Sequence, residues 1–376
     1  MAGNAPAFAD AWKIERRAQR IGDPIERLRY LKQATAKPQR RVHGTWLASL
    51  ALAILAVPLA SDALSRQAPA VVVKTPIVIH RQASELPNVW PVEQTNAYDL
   101  YSNGLRIENA MQISNQPRSY SLVSRGGTLG PVRTQPAGIV YHSTESDQAP
   151  FEADQKSALK RIGQEVLLYV RNKRAYHFVI DRFGRVHRIV YESDTANHAG
   201  HSAWADSQWL YVNLNTSFIG VSFEARSKSD ERRLTDAQIR SARALTEMLR
   251  VKYNIPAENC ITHAQVSVNP DNRRVGYHTD WGSGLPFQEL GLPNNYEIPN
   301  PSVYLFGFES DPSYTEATNP DVWKALEVAE ERVRETAAEH GVTTAEYRRI
   351  LQQRYRDVQT AIQRRSATEE NIHESN

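Results

Sequence analysis

Cysteine is nearly absent: Cys260 is the only one in 376 residues. A single thiol excludes an internal disulfide and any multi-cysteine metal cluster, and the sequence reads Cys260 as a small buried filler. Charge of one sign is also lacking. The net charge is +3, too small to point to nucleic acid and at most suited to work near an anionic surface. The rest is ordinary for a soluble chain, with 41% apolar and 23% charged residues. No internal repeat is present. Long apolar runs are missing with one exception, residues 42–60 (VHGTWLASLALAILAVPLA). That run has no acidic residue, Lys or Arg, and at ~1.5 Å per residue it is just long enough to cross a bilayer core of ~30 Å.

Ten basic residues precede the run, from Lys13 to Arg41, and only Arg66 and Lys74 follow soon after. The positive-inside rule then expects a single-pass anchor with a cytoplasmic N-terminus and the remainder on the outer side. A cleaved signal peptide is the competing reading, but a leader of about forty residues before the apolar stretch is long for one. The expected organisation is a basic cytoplasmic tail (1–41), a transmembrane anchor (42–61) and a linker or small β-rich extension (62–134). A main domain (135–290) and a helical C-terminal extension (313–366) follow.

Within 138–263 short apolar runs alternate with amphipathic ones. Residues 138–142, 176–181, 186–190, 218–224 and 261–263 read as strands, with Arg182-Phe183-Gly184-Arg185 as a hairpin turn. Residues 151–172 carry Leu159, Ile162, Val166, Leu167 and Val170 at helical spacing. Thr235 followed by Gln238 is a capping box that opens a helix to about residue 253. The fold class is therefore α/β, a mixed central sheet flanked by helices, with the anchor before it and a C-terminal helical hairpin after it. The hairpin helices, 320–340 and from Thr343 to about 365, are so charged that an exposed pair is expected.

Chemistry concentrates at the strand ends. His142 closes GIVYH, His263 closes the strand at 261–263, and Asp280 lies in the loop GYHTDWGSG (276–284). Two histidines and one carboxylate, with the fourth position left to water, make an open zinc site. On spacing alone this triple is a weak signal, because most chains of this length contain one.

Five blocks give it specificity. They are GIVYHSTE (138–145), AYHFVIDRFGRVHRIV (175–190), NHAGHS (197–202), SFIGVSFEA (217–225) and THAQVSVNPDNRRVGYHTDWG (262–282). In this order they resemble the zinc-dependent N-acetylmuramoyl-L-alanine amidase superfamily, which spans phage lysozyme-type amidases, muropeptide amidases and animal peptidoglycan-recognition proteins. The resemblance covers about 136–287 and implies the amidase fold. It also implies Zn2+ held by His142, His263 and Asp280, and hydrolysis of the bond between N-acetylmuramic acid and L-alanine in peptidoglycan. Non-catalytic members usually lack the last ligand, so Asp280 favours an enzyme.

The same resemblance assigns Tyr176 to the oxyanion and His278 to proton delivery. It departs at Ser222, where muropeptide amidases carry a general-base glutamate. Glu224, two residues on, shares that strand face, and Glu145 also lies near the metal. Glu224, Tyr176 and His278 compete for the role of base. Asn197, His198 and Glu145 are expected to border the substrate, and Trp204, Trp209 and Tyr211, expected in a surface loop, to offer stacking faces for sugars. With the anchor, the resemblance implies an enzyme on the bacterial inner membrane, its catalytic domain periplasmic or extracellular. The alternatives are a membrane-tethered peptidoglycan-binding or sensing protein without catalysis, and a scaffold whose terminal helices recruit partners.

Overall fold

The computed structural model describes residues 86–227, 234–310 and 312–374, with side chains to residue 367. The apolar run at 42–60 lies outside the described residues, and among those described no helix is long and apolar enough to cross a membrane.

An eight-stranded mixed sheet carries the architecture. Its strands are β1 (Pro91–Gln94), β2 (Tyr98–Tyr101), β3 (Arg106–Glu108), β6 (Gly138–Ser143), β7 (Phe178–Ile180), β8 (Val186–Arg188), β11 (Phe218–Phe223) and β12 (Cys260–Thr262), in spatial order β1-β2-β3-β8-β7-β11-β6-β12. The middle of the sheet is parallel: β11 pairs with β6 and β7, and β12 with β6. Parallel strands are covered on both faces, which is why β6 and β11 are mostly apolar and buried along their whole length. Strands β1 to β3, from the stretch read as a linker or extension, continue this sheet through β8.

A second, antiparallel sheet joins β4 (Tyr120–Ser124) and β5 (Leu129–Arg133) to β9 (Ala203–Ala205) and β10 (Trp209–Val212), in the order β5-β4-β10-β9. Trp204, Trp209 and Tyr211 therefore lie on strands, not in a surface loop. Trp204 and Tyr211 are buried, with the Trp204 indole N–H donating to Asn259 Oδ1 at 3.0 Å. Alternating large apolar residues over so short a hairpin pack into a core, so no sugar-stacking face is available at these two positions.

Two long helices flank the main sheet, α1 (Lys156–Lys173) and α3 (Asp236–Tyr253), with the one-turn helix α2 (Leu214–Ser217) leading into β11. The expected capping box forms. Thr235 and Gln238 bond reciprocally at the start of α3, and Arg174 ends α1 in the left-handed region. Opposite faces of the sheet are used: Val179 packs with Leu167 and Val170 of α1, whereas Tyr141 donates or accepts at Thr246 of α3 at 2.7 Å.

After β12 come the short helix α4 (His263–Val266), the β13–β14 ribbon (Val268–Asn269 and Arg274–Val275), and then α5 (Pro301–Phe306), α6 (Pro312–Ala317), α7 (Pro320–Glu339) and α8 (Thr344–Glu374). The exposed terminal hairpin expected from the charge is not what forms. Val322, Ala325, Leu326, Ala329, Val333 and Ala337 of α7 and Tyr347, Leu351, Tyr355 and Val358 of α8 are buried and belong to the main core. The stripe consists largely of alanine and valine at i, i+3, i+4 and i+7 spacing, so the charges around it mask it in composition.

Candidate metal centre

The site forms where β6 and β12 end side by side. In the parallel register Thr262 lies opposite Tyr141, so the next residue of each strand, His263 and His142, leaves the sheet at the same edge. Asp280 reaches in from the loop after β14. Its Oδ1 is 2.8 Å from His263 Nδ1 and its Oδ2 3.3 Å from His142 Nδ1. Ligand atoms of the three residues all lie within 4.8 Å of one another, and the two imidazoles are 4.5 Å apart between ring centres.

Hydrogen bonds behind the site fix which ring atom faces it. His198 Nε2 lies 3.3 Å from the carbonyl of Phe218, which can only accept, so that nitrogen carries the proton. His198 Nδ1 is then a lone pair and takes the Nε2–H of His142 at 3.1 Å. His142 is thereby left with its Nδ1 lone pair turned to Asp280, the form a metal ligand requires. Burial, followed by the charge of His263, lowers the His142 pKa to about 4, so the ring is neutral near pH 7. Burial acts to raise the Asp280 carboxyl, but His263 and His142 outweigh it and hold the group ionised. Two imidazoles and one ionised carboxylate, brought within 4.8 Å of one another, suit a divalent cation that prefers N and O ligands.

His198 reaches this position because β11 carries Gly220. A Cβ there would lie 2.6 Å from Cγ of His198, so only glycine admits the ring. The NHAG loop is held by Asn215, whose Oδ1 accepts from the backbone N–H of His198, Ala199 and Gly200 at 2.8, 2.6 and 3.2 Å. Deeper still, the buried Arg118 donates to the carbonyls of Glu192, Thr216, Phe218 and Asp194. With no carboxylate paired to it there, burial lowers its pKa to about 10. Sequence reasoning missed Asn215 and Arg118, since a polar residue in a loop carries no signal until its carbonyl and amide partners are known.

Tyr176 stands beside His142. Its ring centre is 5.0 Å from that of His142, and its φ of +62° is uncommon for a bulky residue. Burial, then the charge of Asp280, pushes the phenol well above its usual value, so it keeps its proton. His278 is exposed and stacks on His263 at 4.7 Å, its backbone N–H bound to Ser267 Oγ at 2.9 Å. Ser222 pairs with His142 across β6 and β11, and its buried hydroxyl faces the Tyr176 phenol, a contact that acts against the upward shift of that phenol.

The remaining candidates are engaged elsewhere. Glu224 is buried, accepts the Arg182 N–H at 3.2 Å and packs against Gly163 of α1. Glu145 accepts from Ser143 Oγ, Ser227 Oγ and Ser227 N at 2.5, 2.6 and 2.8 Å, which closes a loop. Asn197 donates from its N–H and its amide to Arg174 and Lys173 carbonyls, closing the end of α1. His198 is buried against His142 rather than facing a ligand groove. A cavity of about 450 Å³ beside Tyr176 is lined by Thr144, Ser146, Glu165, Val166, Tyr169 and Lys173.

Fold and donor set together define an α/β domain in which two histidines and a loop aspartate converge as a candidate metal-binding set. Residues 132–283 match the family model Amidase_2, N-acetylmuramoyl-L-alanine amidase, the superfamily that the sequence blocks resemble. No curated protein matches the chain. Solved structures similar to part of it include the N-acetylmuramoyl-L-alanine amidase LysC from Clostridium intestinale URNW, 22% identical over 48% of this chain and 93% of that one, with a TM-score of 0.27. AmpDh3 from Pseudomonas aeruginosa, in complex with anhydromuramic pentapeptide, is 22% identical over 54% and 76%, with a TM-score of 0.31. The N-acetylmuramyl-L-alanine amidase AmiD from E. coli, in complex with anhydro-N-acetylmuramic acid-L-Ala-D-gamma-Glu-L-Lys, is 20% identical over 61% and 95%, with a TM-score of 0.33.

Proposed function

We propose that the chain is a zinc-dependent N-acetylmuramoyl-L-alanine amidase that hydrolyses the amide between N-acetylmuramic acid and L-alanine in peptidoglycan. The observation that carries this reading is the convergence of His142, His263 and Asp280 inside the region of the family match. When bound there, zinc polarises the attacked carbonyl and makes water acidic enough to attack near neutral pH.

The protein's own part is positional and electrostatic. Tyr176, protonated and fixed beside His142, donates to the oxygen that gains charge as the carbonyl is attacked. His278, exposed and stacked on His263, delivers the proton that the departing amine of L-alanine needs. Burial raises the Glu224 carboxyl, but its oxygens take the Arg182 amide and pack against Gly163 of α1, so the group is engaged with α1 and the Arg182 turn. Tyr176 lies beside His142 and His278 beside His263, and His278, whose imidazole can both accept and donate a proton, is assigned the proton transfers. The cavity beside Tyr176 offers room for the part of the substrate next to the scissile bond. With an anchor at 42–61, the domain would work at the outer face of the inner membrane, where the polymer is.

Digestion of purified cell wall tests this reading. The account expects new free amino groups on L-alanine and intact glycan chains. Binding without release would instead identify a sensor, the reading that Ser222 in place of a glutamate keeps open. Tyr176→Phe should lower turnover by roughly 10²- to 10³-fold with the same metal content; an unchanged rate reduces Tyr176 to packing.

A further inference from the structure

We propose that residues 307–310 and 312–319, which lie beyond the family match, clamp the two segments that carry His263 and Asp280, with Tyr314 as the central positioning residue. The proposal rests on the metal reading of His142, His263 and Asp280.

Tyr314, on α6, is 1% exposed, and its hydroxyl donates to the carbonyl of Ala264 at 2.8 Å. Ala264 follows the donor His263, and its own N–H donates to the carbonyl of Asp280 at 3.2 Å. One peptide neighbour thus ties His263, Asp280 and Tyr314 together. The Tyr314 ring lies against Gly276, at the head of the Asp280 loop: a Cβ on that glycine would be 2.0 Å from Cδ2, and its φ is +76°. Gly276 therefore must be glycine on two counts, conformation and contact. At the other end of the loop, a Cβ on Gly282 would meet the carbonyl of Ala317 at 2.6 Å, and the Asn319 N–H donates to the Gly282 carbonyl at 3.2 Å.

The clamp is itself gripped from α8. Gln352 donates to the Gly307 carbonyl at 3.0 Å and Arg348 to the Phe308 carbonyl at 3.1 Å. Glu309 then pairs backbone to backbone with the strand before the loop, its N–H to Arg273 O and its carbonyl to Val275 N. Contacts run without a break from the last helix through 307–310 and β14 to Asp280. A donor must be held to within a fraction of an ångström for tight coordination, and here that precision comes from the C-terminal extension. The extension is accordingly part of the active domain rather than a separable partner-binding module.

Hydrogen exchange and cobalt titration of the full chain, as Tyr314→Ala, Tyr314→Phe and the control Val333→Ala, test this. Val333 is equally buried on α7. In the metal-free chain, exchange across 264 and 276–282 should speed up at least tenfold in Tyr314→Ala and less in Tyr314→Phe, and stay near wild type in Val333→Ala. Cobalt affinity should fall at least tenfold in Tyr314→Ala, with a smaller loss in Tyr314→Phe. Unchanged exchange and affinity in both tyrosine variants, or an equal loss in Val333→Ala, overturns the clamp. A wild-type chain that takes up no cobalt refutes the metal site, and the exchange data then decide the clamp alone.

Discussion

Whether His142 can bind a cation depends on a carbonyl two residues removed from it. Phe218 O sets the proton on His198, and His198 sets the proton on His142. Replacing His198 by Ala releases the ring to either tautomer and opens a space beside a buried ligand. Such outer partners contribute 10- to 100-fold in metal affinity. His198→Ala should therefore weaken zinc by that factor in a chelator competition, with the fold intact by circular dichroism. Unaltered affinity would show that His142 is oriented by packing alone. The sequence marked His198 through the NHAG block, as bordering substrate or as holding the loop, and the structure buries it beside His142. A histidine in a loop motif reads the same whether it faces substrate or a neighbouring ligand; only the position of Phe218 O separates the two.

Elements are tied around the site by a buried ionic cluster. Arg188 on β8 reaches Asp99 on β2 at 2.9 Å and Glu192 at 3.1 Å, and Glu192 also takes Lys252 and Tyr253 from α3 at 2.5 and 2.9 Å. Burial acts to raise the Glu192 carboxyl, but Arg188 and Lys252 outweigh it and bring its pKa from 4.5 down to about 2. A folded value below the unfolded one means that its stabilisation is complete above about pH 4.5 and is lost as pH falls through about 2. At ~1.4 kcal/mol per unit the contribution is on the order of 3 kcal/mol. Urea unfolding of Glu192→Gln at pH 7 should show a loss of that order, and the gap to wild type should narrow toward pH 2. A gap that is absent at pH 7, or constant with pH, contradicts this.

The elements themselves were largely legible. Strict period-2 or buried runs at 138–142 and 218–224, and the Thr235 capping box, specify structure locally, and the observed β6, β11 and α3 follow them. The β9–β10 hairpin was not legible, because Trp204, Trp209 and Tyr211 occupy strands of only three and four residues between turns.

At the scale of the molecule, local periodicity carries little information about packing. The helix pair at the C-terminus was readable as helices, but its burial depends on a partner surface made of α5 and the core, which no window of sequence contains. The three donors, by contrast, were readable because strand ends constrain where a side chain can point, and their convergence is a property of β6 and β12 lying parallel in register. Everything functional follows from that convergence holding an ion. The most direct measurement is metal analysis of the purified chain beside His142→Ala and Asp280→Ala. The account predicts about one zinc per wild-type chain, almost none in either variant, and no cell-wall cleavage by the variants. Full metal occupancy in both variants, or cleavage without the ion, would contradict it.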